Sequence, residues 1–335
     1  MGASPFYKTW LLLKLFQHSP QLEWLDIENT DDIIYEIIDT YCPNIKVFVQ
    51  RGTDEWNAEN EHFYHDPSPG MKVLKGELYR ARASAVIPLL QKHHSTLRIL
   101  DLGYKDTDSY SSRNNEVEDV FTVFPYNNLT YLHISYPPPS AGPLMKEQLQ
   151  LIPNLTTLSL ACLRVLEGTL QYLNEIPHLT TLIMRDVRCT QDDIFCCFGA
   201  FAQNRAKSSL KKLHLIKCNV SDPVVEEVAK IKSLTELLIH YSHMFGPDPP
   251  GLSGVTGFTK GIARLPKLNH LNIGFWRFKK NHLKHLCKSK SLREVVFFFV
   301  DGITDDEAYN AFSPNVNVRF VESMSEIGDL PFFIY

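Results

Sequence analysis

The feature of this sequence that most constrains its fold is a repeated Leu-x-x-Leu-x-Leu pattern. Clear copies begin at Leu97, Leu129, Leu155, Leu179, Leu210, Leu234, Leu268 and Leu292. From Leu129 onward the copies follow one another at intervals of 26, 24, 31, 24, 34 and 24 residues. Leu22 begins an earlier copy, Ile45 a weaker one and Val316 a truncated last one. Unrelated strands would not keep this register, so the pattern indicates repeats of one structural unit.

Each repeat is predicted to be a short strand followed by a helix. The interval lies within the window of about 20–29 residues that is typical of leucine-rich repeats. Leucines at positions 4 and 6 share one face of a strand because successive side chains alternate. Neither half can bury its apolar face alone, whereas stacked units share a core. The predicted fold is therefore an α/β leucine-rich-repeat solenoid, a horseshoe with parallel strands on its concave face and helices on its convex face.

The repeats also set the expected domain organisation. A length of 335 residues would by itself suggest two domains of roughly 150 residues, but the pattern predicts one solenoid of about ten repeats over residues 22–322. We expect an N-terminal capping helix in residues 1–21 and a C-terminal cap in residues 323–335. Inserted loops, which are expected to be either functional or mobile, are predicted near 50–72, 103–128, 136–146 and 241–261.

Composition narrows the class of protein further. A hydrophobic share of 44% with 21% charged residues excludes wholesale disorder. No apolar run approaches the roughly 20 residues that a membrane span needs. Seven cysteines without a CxxC pair do not form a disulfide framework. Of three Asn-x-Ser/Thr sequons, those at Asn128 and Asn154 enclose a repeat leucine and are interpreted as by-products of the repeat. These features predict an intracellular location, in the cytoplasm or alternatively the nucleus.

One copy shows which kind of repeat this is. The copy at Leu210 continues Lys-Lys-Leu-His-Leu-Ile-Lys-Cys-Asn-Val-Ser-Asp, ending at Asp222, and it resembles the cysteine-containing class of leucine-rich repeat. The copies at Leu179 and Leu292 carry Thr190 and Thr304 at the matching place. In this pattern the hydroxyl or carboxylate caps the free N–H groups that begin a helix.

The cysteine-containing class is typical of F-box leucine-rich-repeat proteins, the substrate receptors of cullin-type ubiquitin ligases. The resemblance covers roughly residues 20–322 and makes Cys218 a small buried filler. Residues 1–21 do not resemble an F-box. The resemblance therefore implies binding to a Skp-type adaptor and a cullin only if an F-box is supplied elsewhere.

The strand pleat predicts a candidate binding surface. Positions 3, 5 and 7 of each copy point away from the leucines and are expected to line the concave face. The candidate protein-binding residues are Trp24, Tyr131, His133, Arg185, Lys212, His214, Glu236, His240, His270, Asn272 and Phe298. Aromatic rings and arginine on such a surface suit contact with a partner protein.

Histidines in three successive copies raise the question of a metal. His214, His240 and His270 occupy positions 5, 7 and 3 of their repeats, and inserted residues lie between them. A structural zinc site needs four converging ligands, so we expect no metal. No other cofactor is expected either.

Charge is segregated along the chain although the net charge is only −4. Residues 23–77 hold thirteen Asp and Glu against four Lys and Arg, whereas residues 260–293 hold ten Lys and Arg and no acidic residue. The basic patch includes Lys279, Lys280, Lys284 and Lys288. It is interpreted as a solvated convex helix or, alternatively, as a surface for an acidic partner, RNA or phospholipid. Nucleic-acid binding is not favoured because no recognised module is present.

The function predicted from the sequence is non-enzymatic. No P-loop, GxGxxG, HExxH, GxSxG or kinase signature occurs, and His93 and His94 are expected to be polar surface at a helix end. We expect a protein-interaction scaffold that uses its concave face and rim loops, with substrate recognition for an SCF-type ubiquitin ligase as the narrower hypothesis. The alternatives are a stand-alone regulator or inhibitor with no ubiquitin link, and a binder of RNA or phospholipid through the basic patch.

Overall fold

The fold was analysed in a computed structural model of the chain. It describes residues 5–28, 33–51, 67–79, 83–105, 125–135, 146–162, 165–187, 189–203, 209–218, 220, 222–240, 255–275 and 278–321. The chain divides into two compact units, Met1–Arg164 and Val165–Tyr335. Most of the loop predicted near 50–72, and of those near 103–128, 136–146 and 241–261, lies outside the described residues, as does all of the cap predicted at 323–335.

In the N-terminal unit the described residues form six strands that pair in parallel and in chain order. The strands are β1 (Trp24–Glu28), β2 (Val47–Arg51), β3 (Val73–Tyr79), β4 (Ile99–Lys105), β5 (Tyr131–Ser135) and β6 (Thr157–Ala161). The helices are α1 (Pro5–Gln17), α2 (Ile33–Tyr41), α3 (Ala83–His93) and α4 (Lys146–Gln150). Helix α1 lies within the segment predicted to hold a capping helix; it buries Phe16 and exposes Trp10, Leu11 and Leu15.

In the C-terminal unit the described residues form another six parallel strands in chain order. The strands are β7 (Thr181–Arg185), β8 (Lys212–Ile216), β9 (Glu236–His240), β10 (His270–Gly274), β11 (Glu294–Phe298) and β12 (Asn317–Val321). A 3-10 helix (Thr169–Glu175) precedes α5 (Gln191–Gln203), α6 (Asp222–Val228), α7 (Val255–Ile262), α8 (Lys280–Leu286) and α9 (Asp305–Ala311).

The register of the strands places equal repeat positions side by side. Leu213 at position 4 of its repeat pairs with Leu237, which pairs with Leu271, and all three are almost fully buried. The same alignment holds for position 6, so the leucines of successive repeats stack into a continuous core within each unit. Parallel strands, buried leucines and helical connections confirm the predicted α/β leucine-rich-repeat solenoid fold.

The sequon residues take part in holding neighbouring repeats together. The side-chain amide of Asn128 donates a hydrogen bond to the carbonyl of Ser95 at 2.6 Å, and that of Asn154 donates to Asn127 at 2.6 Å. The hydroxyl of Thr156 donates to a carbonyl of the preceding repeat at 2.8 Å. The two asparagine bonds each satisfy a turn carbonyl of the repeat before it, so these sequon residues contribute to the stacking of repeats.

Five of the described strands are followed by a left-handed residue that is not glycine. The residues with this conformation are Cys162, Asp186, Lys217, Phe275 and Phe299, with φ between 47 and 61°, and each directly follows a strand. The N–H of Lys217 donates to the carbonyl of His240 at 2.9 Å, and that of Phe275 donates to Phe298 at 2.8 Å. The left-handed turn therefore adds one more bond to the next strand, at a conformational cost of about 1–2 kcal/mol.

One repeat is not visible in the leucine pattern. The register of β3 places Met71 at position 1 and Gly76 at position 6, where a leucine is expected. A Cβ atom at Gly76 would lie 2.2 Å from the hydroxyl of Tyr35, so this tyrosine of α2 occupies the space. The same hydroxyl donates to Oε1 of Gln50, which holds position 6 in β2, at 2.8 Å. A buried polar pair thus replaces two leucines.

Two smaller expectations are wrong. Asn317 pairs with Glu294, so the last repeat begins at Asn315 and not at Val316. His93 is buried and accepts a hydrogen bond from the Met71 N–H at 3.2 Å, so it is not polar surface. Burial, assisted by the charge of Lys92, lowers the pKa of His93 to about 4, which keeps the ring neutral and able to accept that bond.

The helix starts follow the predicted chemistry. The hydroxyl of Thr304 accepts a bond from the Glu307 N–H at 3.3 Å, and the Glu307 carboxylate accepts one from the Thr304 N–H at 3.4 Å. At α5 the Asp193 N–H donates to the Thr190 hydroxyl at 3.1 Å. These are capping boxes, which satisfy N–H groups that the helix leaves free. Cys218 is buried, and burial raises the pKa of its thiol to about 12, as expected for a filler.

Candidate protein-binding surface on the sheets

Positions 3, 5 and 7 of the strands form one face of the sheet in each unit, which we call the outer sheet face. The candidate residues differ in exposure along this face. Trp24, Lys212 and His270 are exposed; Tyr131, His133, Arg185, Glu236 and Asn272 are half-buried; His214, His240 and Phe298 are buried. Position on the face alone therefore does not decide whether a side chain is accessible.

Glu236 on β9 is a centre of charge on the outer sheet face of the C-terminal unit. Lys212 Nζ lies 3.1 Å from its Oε2, and the Nε2–H of His214 donates to its Oε1 at 2.7 Å. Burial opposes ionisation of Glu236, but the bonds and charges of His214 and Lys212 outweigh it and hold the pKa of Glu236 below its ordinary value. His214 is covered because this network closes over it.

Glu294 on β11 forms a second centre of the same kind. His270 Nε2 lies 3.6 Å from its Oε2, and the Arg319 guanidinium binds its other oxygen. Lys212, Glu236, His270 and Glu294 are direct neighbours at position 3 of β8 to β11. Cationic or imidazole groups and carboxylates therefore alternate in one row across four strands.

Where these strands end, the surface becomes aromatic. The ring of His240 stacks on that of Phe298 with centroids 5.0 Å apart and an angle of 8°, and its Nε2–H donates to Asn272 Oδ1 at 2.8 Å. Gly274 leaves room for this ring, since a Cβ there would lie 2.7 Å from it. Burial lowers the pKa of His240 to about 4. Phe275 and Phe299 stack beside this pair.

The outer sheet face of the N-terminal unit is organised differently. Val47, Val49 and Val73 form a buried apolar cluster there, with Ile99 packed against it. His133 lies opposite Ser159, with Nδ1 2.7 Å from the hydroxyl oxygen. Trp24, on β1, is 44% exposed, so the first strand presents an aromatic ring.

The predicted basic patch lies on α8 and at both of its ends. Lys279, Lys280, Lys284 and Lys288 are all exposed. Lys280 Nζ lies 2.6 Å from Glu307 Oε1, and its hydrogen bond holds the pKa of Glu307 below its ordinary value. The patch is thus partly neutralised by the next repeat.

Sequence reasoning missed three participants on these faces. A repeat that began at Val316 would place Arg319 at core position 4, whereas the observed register places it at position 5, opposite Val296. Ser159 is at position 5 of its repeat, but it has neither a charge nor an aromatic ring that would mark it as a candidate binding residue. Phe275 follows a strand in the left-handed conformation, which the residue type does not indicate.

In the part of the chain that the structure describes, no group of three or more His, Cys, Asp or Glu side chains could hold a metal ion. His214 bonds to Glu236 and His240 to Asn272. A cavity of about 10 Å³, room for about one water, lies in the core beside Tyr126. None of the described helices is long and apolar enough to cross a membrane.

Strand register and buried leucines define this chain as an α/β leucine-rich-repeat protein. No protein-family model matches the sequence, and no curated protein is similar to it. Among solved structures, the internalin InlF of Listeria monocytogenes is similar with a TM-score of 0.42 and 11% identity, over 93% of this chain and 95% of the internalin. The plant peptide hormone receptor RGFR1, in complex with RGF2, has a TM-score of 0.35 and 13% identity over 87% of this chain. This chain spans only 41% of that receptor's length.

Proposed function

We propose that the protein is a non-enzymatic scaffold that binds a protein partner through the outer sheet face, chiefly that of the C-terminal unit. The observation that carries this proposal is the alternating row of Lys212, Glu236, His270 and Glu294. Ion pairs at a surface contribute only about 0–1 kcal/mol to stability. They do fix the side chains in one arrangement, and a pre-ordered surface loses less conformational entropy when a partner binds.

Other residues of the outer sheet faces supply what a row of charges lacks. In the C-terminal unit, Arg185 at position 7 of β7 and Asn272 at position 5 of β10 are half-buried and add directional hydrogen-bond donors. Trp24 and Tyr131, on the outer sheet face of the N-terminal unit, supply aromatic area, which commonly dominates the energy of protein interfaces. His214, His240 and Phe298, being buried, support this surface and are not expected to contact a partner directly.

The test is affinity purification of the full chain followed by mass spectrometry. A variant carrying Lys212→Glu and His270→Glu is compared with Lys217→Glu, which reverses an exposed lysine that directly follows β8. Partners should be lost with the first variant and kept with the second, while both keep the wild-type unfolding midpoint. Recovery of the same partners with both variants would show that the outer sheet face is not the binding surface.

A narrower candidate is the substrate-recognition subunit of an SCF-type ubiquitin ligase. The buried Cys218 and the Thr304–Glu307 capping box fit the cysteine-containing repeat class, and this resemblance is what favours the candidate. Co-expression with a Skp-type adaptor and a cullin should recover a complex if the chain, or a segment joined to it, binds the adaptor. Recovery of the partner proteins without adaptor and cullin would instead support the stand-alone regulator.

A further inference from the structure

A row of cations lies at the edge of the C-terminal unit where strands begin. Lys230, Arg264 and Lys288 each stand four residues before the position 1 leucine of three successive repeats, and all three are exposed. Their backbones are equivalent, because each N–H donates to the carbonyl three residues earlier, at 2.9, 3.0 and 3.2 Å. Since β9, β10 and β11 are adjacent in the sheet, the three cations form one row.

A second row of cations lies a few residues further along the chain in the same repeats. Lys232, Lys267 and Lys290 stand one or two residues before the same leucines, and Arg293 stands one residue after Leu292. All four are exposed. We call the seven cations of both rows the basic edge: Lys230, Lys232, Arg264, Lys267, Lys288, Lys290 and Arg293.

The basic edge has little counter-charge of its own. Among the described residues, only Lys230 of the seven forms an ion pair, with Glu227 of the helix before it. Some cations elsewhere in the described chain, including Lys46, Lys92 and Lys212, are paired with carboxylates, so the edge is set apart by the clustering of its unpaired cations. Unpaired like charges repel one another and destabilise the folded state slightly. Unpaired cations that the fold holds close together are therefore suited to binding an anion from another molecule.

We propose that the basic edge binds an acidic segment of a partner protein, independently of the outer sheet face. Five of the seven cations are lysines, which act as point charges and favour carboxylates without demanding bidentate geometry. None of the exposed large apolar or aromatic side chains described in the structure lies within residues 229–293. Among the described residues the edge therefore has no exposed rings on which unpaired bases would stack and no apolar anchors that would enter a bilayer.

The charge of the whole chain also favours a short acidic segment over a nucleic acid. A long polyanion would extend past the edge and meet a chain whose net charge is −4, and that charge would repel it. Strands about 4.8 Å apart and helices about 8–10 Å apart give a row roughly 10–20 Å long across three repeats. An extended peptide of about three to six residues, at about 3.3 Å per residue, covers that distance.

The experiment measures binding of a fluorescent eight-residue peptide of alternating Glu and Ser to the full chain at low and high salt. Wild-type protein should bind it, with an affinity that falls as salt rises. The triple variant K232E/K267E/K290E should weaken binding at least about tenfold. The control K211E/K217E, which reverses exposed lysines outside the basic edge, should leave binding nearly unchanged. All three proteins should share one urea midpoint; if the reversals lower it, the triple Gln variant replaces them.

Two outcomes would overturn the proposal. Equal loss of binding in the triple variant and the control would mean that total charge, not the basic edge, attracts the peptide. Tighter binding of a poly-uridine oligonucleotide or of phosphatidylserine vesicles than of the acidic peptide would assign the edge to another class of partner. The purification experiment on Lys212 and His270 tests the outer sheet face and not the basic edge. The proposal for one surface can therefore fail while the proposal for the other stands.

Discussion

In the N-terminal unit a polar pair is buried in the core, whereas in the C-terminal unit the polar groups pair on the outer sheet face. In the N-terminal unit, Gln50 and Gly76 replace leucines on the core side of the sheet, and Tyr35 fills the space. On the outer sheet face of the same unit, Val47 belongs to a buried apolar cluster. In the C-terminal unit positions 4 and 6 of every strand are apolar, and Glu236 and Glu294 anchor charge pairs on the other face.

This difference shows that the same kind of repeat can hold its side chains in place either with a buried polar pair or with charge pairs on the outer sheet face. A buried tyrosine–glutamine bond tolerates no alternative packing, because an unpaired buried polar group costs about 1–3 kcal/mol. A half-exposed charge row contributes less to stability and leaves donors and acceptors facing outward. The first arrangement stabilises, and the second is better suited to binding. The predictions below test that contrast, beginning with the largest expected effect.

Truncation of a core leucine should cost the most, and equally in both units. Leu100 and Leu213 are fully buried at position 4, so Leu100→Ala and Leu213→Ala should each lower the free energy of unfolding by about 2–5 kcal/mol. Hydrogen exchange should show lost protection in the adjoining strands, because each repeat depends on its neighbours. The urea midpoint measures the cost. A value below 1 kcal/mol for one variant would mean that its unit does not depend on that stack.

Acid should destabilise both units through one histidine in each. The folded pKa of His93 and of His240 is about 4, below the value of about 6.5 in an unfolded chain. The unfolded state therefore binds more protons as the pH falls below 6.5, and each histidine removes about 2.5 kcal/mol of stability by pH 4.5. Urea titrations at pH 7.5 and 4.5 measure the loss. His93→Gln and His240→Gln should each reduce the loss, and an undiminished loss would place the acid sensitivity elsewhere.

Crowding the buried polar pair should have an intermediate effect that is confined to the N-terminal unit. In Gly76→Ala the new methyl group would meet the Tyr35 hydroxyl at 2.2 Å, and such overpacking costs about 1–3 kcal/mol. Tyr35→Phe removes the obstructing oxygen but leaves Gln50 without its donor. The double variant should be more stable than the sum of the two losses predicts. Strict additivity in urea unfolding would show that the contact does not exist.

The smallest effect is a gain in stability. Lys217 is exposed and holds φ at 54°, a conformation that glycine adopts without strain. Lys217→Gly should therefore raise the free energy of unfolding by about 0.5–1 kcal/mol. The control Lys232→Gly, at a residue without positive φ, should lower it by a similar amount. Destabilisation by both changes would show that the left-handed turn is not strained.

The leucines, the parallel sheets and the helix caps could be predicted from the sequence because each depends on residues close together in the chain. The repeat at Met71 could not, because its missing leucine is replaced by Tyr35, which lies 41 residues from Gly76. The ring nitrogen of the buried His93 is likewise satisfied from a distance, by the N–H of Met71, 22 residues earlier in the chain.

The candidate surface was predictable as a face but not as a set of accessible side chains. The pleat placed His214 and Phe298 correctly on the side opposite the leucines, yet both are covered. His214 is closed in by Glu236, 22 residues further along the chain, and Phe298 is stacked on His240. Accessibility is decided by contacts across strands, and the spacing of one strand contains no information about its neighbours.

The left-handed residues that end the strands have a consequence for engineering and for evolution. Cysteine, aspartate, lysine and phenylalanine all occupy this place, so the stop is specified by the backbone and its bond to the next strand, not by side-chain identity. A segment grafted directly after such a residue would leave the ladder of strands intact. Each of these five strand ends is therefore a place where new loops can be inserted without redesigning the repeat.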